Sequence, residues 1–431
     1  MSVRVVDKIR ELLQTGFFHV FGGSVINKVI SFLSSVVLVK LLSKAEYGVF
    51  TYSWNIYSIL LVFNGMGIET GVLQLASENG ADGNYVEQVN RFGTRFGLTF
   101  DVLITIALFV IGRFVHLKIQ GGGELLCILC LLPEVQLLYN LTLNNLRALK
   151  KNREYAVLSL TNTTLLFLFS VISALVFREK GLVAGYYISG IISCCVGFYC
   201  FGVRLIGKSR LHKEDVSSLL RISFISMLNN GLSQMMYLLD VFVLGMVDPQ
   251  ETLLASYKVS TTIPAALSFI PTSLVIYIYP YFAEHKDDKE WCRRKYKHLV
   301  TAFGGLNAII SAFLCLGAPL IVRTLYGSEY LDAIPVFRIL SINYFFSGTF
   351  RVISGNLLVS QRKLKFNLFV AIVSSAINVI ADYYFIQWWG SIGAALATVV
   401  VVLVSSILST SYLIFTFRKG QVGLAEFDGD K

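Results

Sequence analysis

The chain has 431 residues, of which 55% are hydrophobic and 15% charged, with a mean hydropathy of +0.65. Soluble domains carry about 25% charged residues, so a soluble globular enzyme is excluded, and 32 Phe with 21 Tyr exclude a disordered chain. A formal net charge of +10 raises nucleic acid as a partner until the charges are sorted by position.

From the N-terminus, MSVRVVDKIRELLQTG places Val3, Val6, Ile9, Leu12 and Leu13 at helical spacing among Arg4, Lys8 and Arg10. That pattern predicts a basic amphipathic helix on the membrane surface and no cleavable signal peptide. Apolar runs follow at 17–40, 48–68, 95–115, 124–146, 156–177 and 182–203, then at 222–247, 253–283, 301–322, 334–358, 367–387 and 394–416. A membrane helix needs about 20 mostly apolar residues. The predicted fold class is therefore an all-α polytopic membrane protein with twelve transmembrane helices.

With the N-terminus inside, cytoplasmic segments hold 26 of the Lys and Arg residues and outer segments 7. This bias predicts both termini in the cytoplasm. It also explains the net charge by topology, leaving no nucleic-acid partner. The expected organisation is a cytoplasmic N-terminus at 1–16, a six-helix lobe at 17–203, a cytoplasmic linker at 204–221, a second lobe at 222–416 and a cytoplasmic tail at 417–431.

The two halves look like copies. NLRALKKNREY at 145–155 parallels NLLVSQRKLKF at 356–366, and REKGLVAG at 178–185 parallels IQWWGSIGA at 386–394, with Gly181 opposite Gly390. AEYGVFTYS at 45–53 parallels QETLLASYK at 250–258, with Glu46 opposite Glu251 and Tyr52 opposite Tyr257. Six helices per copy bring both copies in from the same side, a parallel repeat about an axis along the membrane normal. Two such bundles flanking a cleft suit alternating access.

Charged residues inside the apolar runs are costly and mark functional positions. Lys28, near mid-depth on the first helix, reads either as a cavity cation for an anionic substrate or as a partner of Glu134. Asp240 and Lys258 fall at similar depth on helices 7 and 8 and are candidates for an ion pair, static or switching. Arg351 lies too deep on helix 10 to snorkel easily, and Arg338 does not. Asp382, late on helix 11, is a proton carrier or a polar packing residue. Glu69 and Asp101, near cytoplasmic helix ends, read as solvated or gating positions.

Other chemistry is thin. Cys127-x-x-Cys130 has no partner pair, the five His form no cluster, and no GxxxxGK[ST] motif is present. No catalytic residue, metal site or bound cofactor is expected. A gradient of H+ or Na+ would supply the coupling ion for active transport.

The sequence LLSKAEYGVFTYSWNIYSILLVFNGMGIETGVLQLAS, with its Glu46–Tyr47–Gly48 turn, resembles the first helical hairpin of the polysaccharide (repeat-unit) flippases, within the multidrug/oligosaccharidyl-lipid/polysaccharide exporter superfamily. The stretch from LLDVFVLGMV through LLASYKVSTTIP is similar to that family's helices 7 and 8. LYGSEYLDAIPVFRILSI, followed by SGNLLVSQRKLKFNLFVAIVSSAINVIADYYFIQWWGSIGAALAT, resembles its most recognisable segment. The resemblance implies a V-shaped pair of six-helix lobes and a substrate of undecaprenyl-pyrophosphate-linked oligosaccharide, moved from the cytoplasmic to the periplasmic leaflet of the bacterial inner membrane. O-antigen, capsule or exopolysaccharide assembly is the implied pathway, with its polymerase and chain-length regulator as candidate partners. Lys28 and Lys258 match the family's basic cavity positions on helices 1 and 8. Peptidoglycan-precursor relatives typically have fourteen helices, against twelve here.

The leading expectation is thus a flippase with Lys28, Lys258 and Arg351 as substrate-binding cations and Asp240, Asp382, Glu69 and Asp101 as coupling or gating groups. Tyr52, Tyr57, Tyr237 and Tyr257 are candidate cavity-lining residues. The alternatives are an ion-coupled drug or cation antiporter of the same superfamily and, third, a membrane glycan polymerase or ligase. The last usually carries a sizeable outer loop, and none is predicted.

Overall fold

The computed structural model describes residues 17–78, 83–205 and 211–425; the predicted amphipathic segment 1–16 and the end of the tail lie outside them. Among the described residues the fold is all helical, and each of the twelve apolar runs is largely helix, with a break inside 48–68 and another inside 124–146. The first half comprises α1 (Phe17–Leu41), α2 (Lys44–Leu61), α3 (Ile68–Glu78), α4 (Gly83–Phe114), α5 (Gly122–Leu129), α6 (Leu132–Ala148) and α7 (Asn152–Tyr199). There follow α8 (Lys213–Val247), α9 (Glu251–Leu267), α10 (Phe269–Glu284), α11 (Lys289–Leu325), α12 (Ile334–Phe346), α13 (Val352–Ser360) and α14 (Leu364–Ala425). Cα packing divides the chain into two compact units at Leu238/Leu239, within α8. Leu205 and Leu219, from the segment expected as a linker, join the core of the first unit with Ile68, Leu141 and Leu158.

Solvent inverts the usual pattern of burial. Along α11, Ile309, Phe313, Leu316 and Leu320 are exposed, at the i, i+4, i+7, i+11 spacing of one helix face. The opposite face buries Asn307 and Ser311. An exposed stripe of large apolar side chains over a buried polar seam is the arrangement that hydrocarbon favours. This is a multi-pass membrane protein.

Two long helices are hairpins. α7 reverses at Arg178 (φ 53, ψ −132) and α14 at Gly390 (φ 53, ψ −129). A Cβ on Gly181 would overlap the carbonyl oxygen of Ser173, and one on Gly393 that of Phe385. Residues eight apart on a straight helix are about 12 Å apart, so each chain has folded back on itself.

These turns also fix the internal register. Arg178 and Gly390 share one backbone geometry 212 positions apart, as do the left-handed Lys150 (φ 56) and Arg362 (φ 58). Gly181 is therefore matched by Gly393, not by Gly390 as expected. Gly390 holds the turn itself, where the first half manages with Arg178. At the front of each half, the helix N-caps are Ser43 and Gln250. Ser53 Oγ donates to Gly122 O and Ser260 Oγ to Ala333 O, the two serines standing 207 positions apart like the two caps. This register places Tyr52 opposite Val259 rather than Tyr257, so tyrosine identity misaligned the helices by half a turn.

Arg178 is one of few non-glycine residues at positive φ. Its Nε donates to Glu46 Oε1 and its Nη2 to Glu46 Oε2, both at 2.9 Å. Glu46 in turn closes a capping box with Ser43 at the start of α2. The planar fork of arginine, matched to a carboxylate, thus ties the α7 hairpin tip to the entry of α2.

Candidate functional site

The strongest polar cluster lies in the second unit. Asp240, late on α8, is buried, and its Oδ2 accepts hydrogen bonds from Tyr257 Oη (2.8 Å) and Thr398 Oγ1 (2.8 Å). Asp382 and Asn378, one turn apart on the first arm of α14, face Asp240. Thr398 reaches the cluster from the second arm because the reversal at Gly390 brings the two arms together. Asp382 interacts with Asp240 and Asn378, and neither Asp240 Oδ1 nor the Asp382 carboxyl oxygens take a geometrically well-formed bond from any other described residue.

The expected Asp240–Lys258 pair is absent. Successive helical residues point about 100° apart, so with Tyr257 turned onto Asp240, Lys258 is exposed on another face of α9. Two buried carboxyls without a cationic side chain carry a large desolvation cost. A shared proton or a small monovalent cation relieves it, and oxygen-only ligands suit hard cations. No group of three His, Cys, Asp or Glu capable of holding a metal ion occurs among the described residues.

The first unit holds a different device. Gly65 (φ 51), Met66 (φ 54) and Gly67 (φ 71) are consecutive left-handed residues that break the chain between α2 and α3. Asp101 from α4, fully buried, accepts the Gly65 N–H at Oδ1 (2.6 Å) and Asn64 Nδ2 at Oδ2 (3.3 Å). Successive N–H groups in such a turn form a concavity suited to an anionic oxygen. The solvated reading of Asp101 is thereby corrected: it staples a helix break that hydropathy cannot see. Glu69 is partly buried, and its Oε1 accepts from Asn140 Nδ2 (2.9 Å) while its carbonyl accepts from Asn144 Nδ2 (3.2 Å). It too is a packed residue rather than a solvated one.

Lys28 is exposed on α1, one residue beyond Asn27, whose Nδ2 donates to Ser159 Oγ on α7 (2.8 Å). The alternative partner, Glu134, takes a hydrogen bond from Thr105 Oγ1 (2.5 Å) instead. Neither Lys28 nor Lys258 forms an ion pair with a described residue. Lys28 belongs to the first unit, Lys258 and Arg351 to the second.

Arg351 is half-buried at the end of a π-helical turn, Ser347–Arg351, between α12 and α13. There Thr349 Oγ1 accepts from Asn307 Nδ2 (3.1 Å), and Tyr344 Oη donates to Asn307 Oδ1 (3.1 Å). Such turns concentrate at functional positions. Tyr52, Tyr57 and Tyr257 are packed inside their units instead of lining open space, with Tyr57 Oη donating to Gln136 Oε1 (2.7 Å); the Tyr237 side chain lies outside those described. Sequence reasoning missed Thr398 as a partner of Asp240. Its signal was the distance of Thr398 and Asp382 from the Gly390 turn, eight residues on either side.

The family described as "Polysaccharide biosynthesis protein" matches residues 37–335. The chain belongs to this family. A curated relative, an "uncharacterized membrane protein in cps region" of Klebsiella pneumoniae, is 25% identical over 162 residues, which is 37% of this chain and 32% of that protein. The match thus spans about a third of the relative's length. Among solved structures, an inward-facing multidrug resistance MATE family transporter of the MOP superfamily superposes with a TM-score of 0.76 at 14% identity, covering 92% of this chain and 95% of that one. The lipid II flippase MurJ superposes at 0.71 and 14% identity, covering 93% and 89%. A MOP superfamily transporter from Pyrococcus furiosus gives 0.61 at 14%, covering 95% and 96%. The family member described here thus shares the fold of transporters and flippases.

Proposed function

We propose that the protein flips undecaprenyl-pyrophosphate-linked oligosaccharide repeat units from the cytoplasmic to the periplasmic leaflet of the bacterial inner membrane, by alternating access. The observation that carries this reading is the separation of charge. The lysines within the apolar helices, Lys28 and Lys258, are exposed and unpaired with any described carboxylate, whereas the carboxyls Asp240 and Asp382 are sequestered. An exposed ammonium at membrane depth is costly, by about 2.5–3.5 kcal/mol on insertion scales, and a pyrophosphate is the partner that repays it. Lys28, Lys258 and Arg351 would hold the diphosphate and adjoining sugars, with the prenyl tail remaining in lipid.

Asp240 and Asp382, with Asn378, Tyr257 and Thr398, would form the coupling site for a proton or Na+. Glu69 and Asp101 would act by fixing the break between α2 and α3. The family's descriptor supports a role in polysaccharide biosynthesis, and the MurJ likeness supports a lipid-linked cargo. O-antigen, capsule and exopolysaccharide units are the candidate cargoes.

The test is reconstitution in proteoliposomes with fluorescent undecaprenyl-pyrophosphate oligosaccharide, run beside efflux of a cationic dye. Protein-dependent translocation of the lipid-linked sugar is expected. Dye efflux without sugar movement would overturn the proposal and favour a cation antiporter.

A further inference from the structure

The second unit carries a line of buried oxygens that extends well beyond the Asp240–Asp382 cluster. On the first arm of α14, Asp382, Asn378 and Ser374 recur every four residues and share one face; all three are at least 98% buried. On the second arm, Thr398 meets Asp240, and Ser406 lies two turns further on. The arms run antiparallel from Gly390, so Ser374 and Ser406, each eight residues from a member of the cluster, sit at one level. That level is about 12 Å from the cluster, on the side away from the turn.

The line then continues through direct hydrogen bonds. Thr410, one turn beyond Ser406, contacts Ser354 Oγ through its Oγ1 (2.9 Å), and Ser354 Oγ contacts Tyr296 Oη (2.7 Å). Ser354 is fully buried and Tyr296 nearly so. Tyr296 stands two turns inside the start of α11, the end where Lys289 bonds Gln361 Oε1 (2.8 Å) beside Arg362 and Lys363. This is the strongly basic side of the unit.

Ser374 Oγ and Ser406 Oγ have no hydrogen-bond partner among the described residues, although both are buried, and the Asp382 oxygens are met only by Asp240 and Asn378. Buried polar groups are ordinarily paired with protein or with ordered water. Intervals of one helical turn, about 6 Å, correspond to two hydrogen-bond lengths and are bridged by a single water. Packing alone would favour alanine or valine at these positions. The repeated choice of serine and asparagine along one line leading to the carboxyls suits a seam filled by water.

We propose that this seam, Tyr296–Ser354–Thr410–Ser406/Ser374–Asn378, delivers protons from the basic side to the Asp240–Asp382 cluster, making the proton the coupling ion. The inference rests on the reading of that cluster as the coupling site. The direct hydroxyl contacts decide for a proton over Na+: a hydroxyl chain relays a proton, whereas an ion needs a shell of oxygens at each step. Every hydroxyl or water in the line receives one proton and releases its own to the next; Asn378, an amide, does not carry the proton but holds the bridging water through its Oδ1, and that last water protonates Asp382 or Asp240. The titratable groups facing the acceptor are Asp240 from α8, Tyr257 from α9 and Asp382 from α14.

The experiment uses the full chain in lipid and follows the protonated-carboxyl infrared band after transfer to D2O. Asp240→Asn and Asp382→Asn identify the band by removing it. Ser374→Val with Ser406→Val is expected to slow its exchange at least tenfold with amide bands and melting temperature unchanged. Ser354→Ala, a milder block, should slow it as well if the double variant does not fold. Unchanged exchange in both, no carboxyl band at all, or a band displaced by Na+ at constant pH would overturn the proton route. If Asp240→Asn loses gradient dependence of transport while the seam variants exchange normally, the coupling site stands and the seam alone fails. If Asp240→Asn and Asp382→Asn both transport with full gradient dependence, the coupling reading itself falls.

Discussion

Asp101→Ala gives the sharpest test of how the first unit is held. The variant removes the acceptor of the Gly65 N–H (2.6 Å) and of one Asn64 amide hydrogen (3.3 Å) at a fully buried position. Asn64 keeps its bond to Pro133 O (3.1 Å), so the principal loss is the stranded Gly65 N–H. An unsatisfied buried donor costs about 1–3 kcal/mol, and the lost bond to Asn64 about 1 more. The expected destabilisation is therefore roughly 2–4 kcal/mol. Asp101→Asn keeps a carbonyl for Gly65 but turns an amide N–H2 towards that of Asn64, for roughly 1 kcal/mol. Thermal unfolding of the purified protein, followed by fluorescence, should rank wild type above Asp101→Asn above Asp101→Ala. At roughly 2–4 °C per kcal/mol, the alanine variant should melt several degrees lower. An Asp101→Ala protein as stable as wild type would refute the staple, because no other described group replaces that acceptor.

Lys28→Ala should lower sugar-lipid translocation about tenfold or more, the worth of one charge-assisted contact, with membrane insertion intact; Lys28→Arg should retain part of it, and normal flipping by Lys28→Ala would remove the cationic site. Asp240→Asn should abolish the dependence of transport on an ion gradient while the protein remains folded, since the amide still fills the space between Tyr257 and Thr398. Arg178→Gly relieves a strained backbone, about 1–3 kcal/mol, and loses only a solvent-screened ion pair to Glu46. It should therefore raise the melting temperature, whereas Glu46→Ala, which loses both the pair and the capping box, should lower it.

Hydropathy located the helices because lipid imposes one strong rule, that long apolar segments are helical. It could not locate their interruptions. The break at 64–67 was present as Asn-Gly-Met-Gly but sits inside an apolar run, and Asp101, which stabilises it, is 34 residues further along. The hairpins at Arg178 and Gly390 were legible as turns, yet their register was not, because glycine serves the turn in one half and close packing in the other. Charges within helices were rightly singled out as unusual. Their partners were misassigned because sequence depth says nothing of the direction a side chain faces: Asp240 meets Tyr257, and Lys258, its neighbour, points elsewhere. Glu134 likewise meets the hydroxyl of Thr105 on α4 rather than Lys28. Charge-to-charge pairing was the natural guess, but here Asp240, Asp101 and Glu134 are served by hydroxyls, an amide and a backbone N–H group.

The single-residue reversals bear on biogenesis. With one residue joining two membrane helices, no slack remains for the first helix to settle in lipid while the ribosome completes the second. Each pair must leave the translocon together, its polar inner face already covered by its twin. Lengthening either turn with a flexible insert would uncouple that joint entry, and newly made protein carrying a cysteine introduced into one helix of the pair would then react transiently with membrane-impermeant thiol reagents before the bundle closes.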